Sequence, residues 1–211
     1  MDMTGKTALI TGANTGLGFE MARALATRGA RLIVAGRSAP KVQAAMGRIM
    51  DEAPDARLEA GLVDLSDLAS VQGFADKVAK THDSLDTLIN NAGVMAPPAG
   101  KTQDGFETQF GVNFVAHFAL TGHLMPLLNA APAARVVTLS SIGHRGAVLD
   151  FDNFRLEKAY DPWREYGQSK LADLVFALEL DRRLRSLNSS VVSLAAHPGV
   201  SQTELTRNLG P

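Results

Sequence analysis

Tyr166 and Lys170 stand four residues apart in a stretch of helical period, so both project from one face. A tyrosine hydroxyl ordinarily loses its proton near pH 10, which makes it a poor base at neutrality. An ammonium about 4 Å away favours the phenolate by about 4 kcal/mol at an effective dielectric of about 20, where one pKa unit is about 1.4 kcal/mol. A fall of about two to three units is within that reach. The pair therefore suits proton transfer to and from an oxygen near neutral pH. Upstream, Arg135-Val136-Val137-Thr138-Leu139-Ser140-Ser141 reads as a strand ending in two hydroxyls. Open α/β sheets bind ligands at the carboxyl ends of their strands, and a serine there can hydrogen-bond a substrate oxygen. The residues alone do not choose between Ser140 and Ser141.

A second cluster follows the first apolar run, where Thr11-Gly12-Ala13-Asn14-Thr15-Gly16-Leu17-Gly18 leads into a helical stretch. Glycines there permit a tight turn, close backbone approach to a pyrophosphate and close helix–strand packing. The helix start turns unpaired N–H groups and the positive end of its dipole toward an anion. The first gap between glycines is three residues, longer than in the common G-x-G-x-x-G fingerprint. Its place between a first strand and a first helix argues for dinucleotide binding over a purely structural turn. An NAD site usually carries an acid at the end of the second strand, but here the chain reads Ala35-Gly36-Arg37-Ser38. Arg37 offers a planar, permanently charged fork suited to a 2′-phosphate, which favours NADP(H) over NAD(H). The plainer alternative is a solvated loop arginine.

Such groups need a scaffold. Six short aliphatic runs, residues 7–10, 31–35, 57–62, 87–90, 135–139 and 190–195, alternate with stretches of helical period. That alternation predicts an α/β fold with a parallel sheet covered by helices, and the lack of in/out alternation predicts strands buried on both faces. Gly29 reads as a helix end, Ser38 before Pro40 as a helix start, and Ser66 as another cap. Leu171, Leu174, Val175, Leu178 and Leu184 give residues 163–186 a helical period. Residues 112–128 are the most apolar, but Asn113, His117, Thr121, Gly122, His123 and Pro126 interrupt them, which argues for a helix buried in protein rather than in lipid. Its cover could include a partner subunit. Residues 143–161 form a long connection without strong period, either lining a pocket with Phe151, Asp152, Phe154 and Tyr160 or packing as a surface excursion.

The 211 residues carry a net charge of −1 and no cysteine. No footprint for nucleic acid or an anionic membrane is visible, and no disulfide framework or thiolate chemistry is available. The first apolar run is too short for a signal-peptide core, so a soluble, cytoplasmic protein is expected. His117, His123, His144 and His197 lack metal-ligand spacing, and no metal is expected.

The stretches Thr11 to Gly18, Asp64-Leu65, Asn90-Asn91-Ala92-Gly93, Asn113, Ser141, Tyr166-Gly167-Gln168-Ser169-Lys170 and Pro198-Gly199 run through nearly the whole chain. Together they resemble the short-chain dehydrogenase/reductase family, in particular its branch of retinol dehydrogenases and related reductases. The resemblance implies catalysis by Ser141, Tyr166 and Lys170, with Asn113 ordering a proton-relay water. It implies cofactor contacts from Gly12, Asn14, Thr15, Gly16, Leu17, Gly18, Arg37, Asp64, Leu65, Asn90, Ala92, Gly93, Tyr166, Lys170, Pro198, Gly199 and Thr203. Asp64 would meet the adenine amino group, Asn90 would support the central strand, and Thr203 would meet the nicotinamide carboxamide. A helix cap for Asp64 and a structural turn for Asn90 are the plainer readings.

The fold so implied is a Rossmann-type doubly wound sheet in the order 3-2-1-4-5-6, one domain over residues 1–211, with the dinucleotide across the switch point. The substrate would be a small apolar alcohol or carbonyl compound, and the assembly a homodimer or higher homo-oligomer. The segment between Ser141 and Tyr166 is long for the family, which fits the retinol-dehydrogenase branch. Relatives continue past residue 211 with a substrate-covering segment and a further strand, so the last strand and the substrate lid are expected to be missing or incomplete. A nucleotide-sugar epimerase on the same scaffold fits badly, because its glycine turn is shorter and its C-terminal domain larger. The other rival is a non-catalytic dinucleotide-binding sensor or scaffold.

Overall fold

Aliphatic runs too short for helices pair as strands, and the helical stretches between them carry the chain back to the same end, so every pairing within the sheet is parallel. The computed structural model describes residues 2–199. Its strands are β1 (Thr7–Thr11), β2 (Arg31–Gly36), β3 (Arg57–Leu62), β4 (Thr87–Asn90), β5 (Arg135–Leu139) and β6 (Val192–Ala196). They lie in the order β3-β2-β1-β4-β5-β6. Helices α1 (Gly16–Ala26), α2 (Ala39–Glu52), α3 (Leu68–Thr81), α4 (Ala116–Ala130) and α5 (Pro162–Ser186) connect them. One apolar layer joins Leu9, Ile33, Leu88 and Val136 to Val71 and Phe74 of α3 and Leu120 and Leu124 of α4. The other joins Ile10, Leu32 and Val34 to Phe19 and Ala22 of α1 and Val42 and Ile49 of α2. The chain leaves β1 toward one side of the sheet and β4 toward the other, and this switch point opens a crevice at the strand ends.

Several expectations need correction. The outer strands are not sealed: Leu62 of β3 and Val192 and Leu194 of β6 are exposed, and among the described residues each of these strands has a neighbour on one side only. The cap of α3 is Asp67, not Ser66; the Asp64 carboxylate already takes the N–H and hydroxyl of Ser66, while Asp67 accepts from Ala69 N. Helix α1 stops at Ala26, short of residue 28, and Gly29 turns back at φ +88°. Strand β6 begins at Val192, two residues after the expected start.

The apolar helix opens with a π-helical segment, Phe110–Val115, before α4. Residues Phe110–Ala130 have the length and hydropathy of a membrane span, yet Leu120, Leu124 and Leu128 pack fully buried in the sheet layer. The 143–161 connection is a packed excursion. Phe154 stacks on Phe110 at 4.3 Å, Tyr160 donates its hydroxyl to the Pro97 carbonyl, and Asn153 donates to the buried Glu165 carboxylate.

A buried polar chain ties the switch point together. The Thr11 hydroxyl, at the end of β1, accepts from the backbone N–H of Asn91 and of Ala92, each at 3.0 Å. Its own proton is left for His117 Nε2 at 2.9 Å. His117 Nδ1 lies 2.7 Å from the Asn113 carbonyl oxygen, so it carries the ring proton and donates there. The imidazole is thereby held neutral in one tautomer. Burial pushes its pKa from 6.5 down to about 4, against the opposing effect of the Asn113 hydrogen bond.

A folded-state value below the unfolded one means that the unfolded chain takes up the proton first. This stability contribution is therefore complete above about pH 6.5 and is lost as the pH falls toward 4. By about pH 5 the loss is about 2 kcal/mol. The variant His117→Gln should lose about 2 kcal/mol less stability than the parent on acidification from about pH 7 to about pH 5, read by urea denaturation. Equal losses in the two proteins would contradict the neutral, buried imidazole.

Candidate active site

The crevice holds a cavity of about 600 Å³, within the range of small-molecule and cofactor sites. From the β1–α1 turn, Gly12, Asn14, Thr15, Gly16, Leu17 and Gly18 line it. Around the β2–α2 junction Arg37, Ser38 and Lys41 do so, and after β3 Asp64 and Leu65. The rest of the wall comes from Ala92 and Gly93 after β4, Ser140 and Ser141 after β5, Tyr166 and Lys170 of α5, and Pro198 and Gly199 after β6. Six strand ends thus converge on one space. A second hollow, of about 430 Å³, lies at the opposite end of the strands around Gly5, Gly29 and Pro54 and contains none of the candidate residues.

The glycine turn forms a cradle. Gly12 sits at φ +65°, where a side chain is strained, and a Cβ there would come within 3.0 Å of Ala92. A Cβ on Gly18 would collide with the Gly12 carbonyl oxygen and lie 2.5 Å from the Asn91 amide nitrogen. Helix capping separates the cavity from the rest of the fold. Thr15 and Ser38, the N-caps of α1 and α2, make no side-chain cap bond, and neither helix has an acid in its first turn. Asp67 and Asp161 do cap α3 and α5. The two helices that start at the cavity therefore keep their N–H groups and positive dipole ends open toward an anion. Arg37 and Lys41 add two cations beside the second of these starts. A dinucleotide with its pyrophosphate on α1 and its adenosine end on α2 fits this arrangement.

Helix α5 carries the proton-transfer pair. Asp161 accepts from Trp163 N and Arg164 N at 2.9 Å, and Pro162 occupies the first helical position, so the helix starts one turn before Tyr166. Tyr166 is 5 % exposed, and the Cδ1–Cε1 edge of its ring lies against Gly143, where a Cβ would come within 3.1 Å of the ring and 3.6 Å of Ser141 Oγ. Lys170 Nζ donates to the Leu139 carbonyl at 2.9 Å and to Asp173 Oδ2 at 2.8 Å.

The two serines part company here. Ser140 donates its hydroxyl to the Lys170 carbonyl at 2.7 Å and serves to hold α5 against β5. Ser141 Oγ accepts from Gly143 N at 3.2 Å, which leaves its own proton for an oxygen in the cavity. His144 Nδ1 bonds the Ser141 carbonyl and fixes the turn that follows.

Asn90 and Asn113 lie beneath the cavity wall, not on it. The Asn90 amide donates to Thr121 and Thr138, bracing β4 between α4 and β5. The Asn113 amide grips Val94 through both its backbone N–H and its carbonyl, and reaches Ser169 at 2.9 Å. The Asn113 carbonyl receives the His117 proton. Thr203 lies outside the described residues. Sequence reading missed Lys41, though it follows Arg37 by one helical turn, and Thr11, whose position directly before Gly12 was the available signal. No group of His, Asp and Glu among the described residues is placed to hold a metal ion.

Comparison with known proteins agrees with this geometry. Residues 6–211 match the family described as short chain dehydrogenase. Mouse retinol dehydrogenase 13 is 44% identical over 98% of the chain, and mouse retinol dehydrogenase 12 is 44% identical over 99%. The chain spans 61% and 65% of the lengths of these two relatives. The crystal structure of an uncharacterised protein from Mycobacterium paratuberculosis is 44% identical with a TM-score of 0.86, over 98% of this chain and 73% of that one. The RhlG/NADP active-site complex of Pseudomonas aeruginosa is 25% identical with a TM-score of 0.78, over 99% and 77%. With this match over nearly its whole length, and with the glycine cradle, the serine and the tyrosine–lysine pair on one cavity, the chain belongs to the short chain dehydrogenase family.

Proposed function

We propose that the chain is the cofactor-binding and catalytic part of an oxidoreductase that interconverts an alcohol and an aldehyde or ketone, with NADP(H) as hydride carrier. The observation that carries this reading is the sharing of one cavity by Ser141, Tyr166 and Lys170 with the glycine turn. NADP(H), when bound, supplies or accepts the hydride. The chain's own groups handle the oxygen. Ser141 donates a hydrogen bond to it, and Tyr166 gives it a proton in reduction or takes one in oxidation. The Lys170 ammonium, two of whose N–H bonds are already directed, stands one helical turn from Tyr166 on the same cavity.

Val94, Met95, Val112 and Leu139 line the cavity alongside these groups, and a small to medium apolar substrate suits such a wall. The retinol dehydrogenases that the chain resembles are named for an apolar alcohol. For the 2′-phosphate, Arg37 and Lys41 at the uncapped start of α2 supply charge and oriented donors. The RhlG structure is a complex with NADP, which supports the same cofactor here. A second copy of the chain is the proposed cover for Phe118 of α4 and Val175 and Leu178 of α5, which are exposed beside the Phe114–Phe118–Phe176 cluster.

The variant Tyr166→Phe keeps the ring and removes the proton. Carbonyl reduction, followed by NADPH consumption across a panel of aldehydes and ketones, should fall by roughly 10²–10⁴-fold while NADPH binding stays nearly unchanged. Undiminished turnover removes Tyr166 from this role, and NADPH binding with no turnover in the parent protein favours the sensor reading. Arg37→Asp should weaken NADPH binding by about tenfold to a hundredfold and leave NADH binding equal or stronger, measured by parallel titrations. Equal losses for the two dinucleotides would place the 2′-phosphate elsewhere.

A further inference from the structure

The Lys170 ammonium has a counter-ion inside the protein. Asp173 follows it by three residues on α5, hence on the same helix face, and its Oδ2 lies 2.8 Å from Nζ. Both side chains are buried, 7% and 2% exposed. The second carboxylate oxygen, Oδ1, accepts no hydrogen bond among the described residues. A buried carboxylate with one oxygen unsatisfied is costly, and an asparagine at this position would fill the same space without a charge. The surroundings account for the arrangement through Lys170 alone. No other charge among the described residues acts on Asp173, and the neighbouring helix presents only His117, which feels Lys170 and stays neutral.

We propose that Asp173 is a positioning residue for the reaction: its carboxylate and the Leu139 carbonyl together fix two of the three N–H bonds of the Lys170 ammonium. The third N–H is then left for the cavity. Nζ lies 3.8 Å from the Cβ position of Gly93, on the side of the Asn91-Ala92-Gly93 turn that lines the cavity. A rotating ammonium would share its donors among Leu139, Asp173 and the cavity, whereas a clamped one offers the same donor each time.

Burial pushes the Asp173 pKa up to about 6 from 3.8, opposed by the charge and hydrogen bond of Lys170. The ion pair is thus complete above that pH and is lost as Asp173 takes up a proton below it. This inference rests on the acid/base reading of Tyr166, and its test is independent of turnover.

The test follows the Lys170 side chain by NMR in protein labelled with ¹³Cε-lysine, the signal being assigned by its loss in Lys170→Met. In Asp173→Asn that signal should pass through pH 6 without an inflection. Asp173→Glu should restore an inflection. In the parent protein the same signal should inflect near pH 6, as Asp173 titrates. An inflection near pH 6 that persists unchanged in Asp173→Asn overturns the proposal. If that variant does not fold, the parent inflection decides: its presence supports the clamp and its absence overturns it. Loss of the acid/base reading would appear instead as undiminished turnover by Tyr166→Phe.

Discussion

The Thr11 hydroxyl has two lone pairs and one proton, and all three are engaged where the sheet divides. The lone pairs take the N–H groups of Asn91 and Ala92, and the proton goes to His117. Through these bonds the end of β1, the turn after β4 and the start of the apolar helix become one rigid piece. The glycine cradle hangs from the first, the cavity wall around Ala92 and Gly93 from the second, and Asn113 from the third. A neutral imidazole is the only form that completes the chain, because a second ring N–H would meet an oxygen whose lone pairs are already taken. The charge that a histidine could carry near neutrality is thus removed by the same burial that makes the joint dry.

Electrostatics then divide the cavity into two ends. At one end, two uncapped helix starts and the cations Arg37 and Lys41 set a field for phosphate. At the other, a clamped ammonium and a buried phenol sit beside a serine whose proton is free. The capping pattern makes the division legible without any ligand. Helices α3 and α5 start under aspartate caps and the start of the apolar helix is closed by the buried Glu107, whereas α1 and α2, which start at the cavity, carry no side-chain cap. Leaving those N–H groups unpaired costs stability that a bound anion recovers.

Much of this was readable from sequence because it is local. The parallel sheet follows from alternating apolar runs and its strand order from the family resemblance, and the glycine turn and the Tyr166–Lys170 spacing each announce themselves within eight residues. What escaped depends on tertiary placement. Ser66 and Asp67 are equally good caps by type, and only the reach of Asp64 to Ser66 decides between them. Ser140 and Ser141 are identical in composition, and the Lys170 carbonyl tells them apart. The exposed faces of β3 and β6 go with edge positions among the described residues, which no single strand's pattern encodes. The π-helical start at Phe110–Val115 carries apolar residues that suit an ordinary helix as well. Asp173, one acid among several on a long charged helix, reads as solvated until burial shows otherwise.

The central claim, that the open helix starts and the phenol act on one bound dinucleotide, is tested most directly by a structure of the protein with NADPH. The reduced nicotinamide should lie beside the Tyr166 hydroxyl between Ser141 and Lys170, with its pyrophosphate on the start of α1 and its 2′-phosphate on Arg37. A dinucleotide seated elsewhere, or with its nicotinamide turned away from Tyr166, would contradict the account.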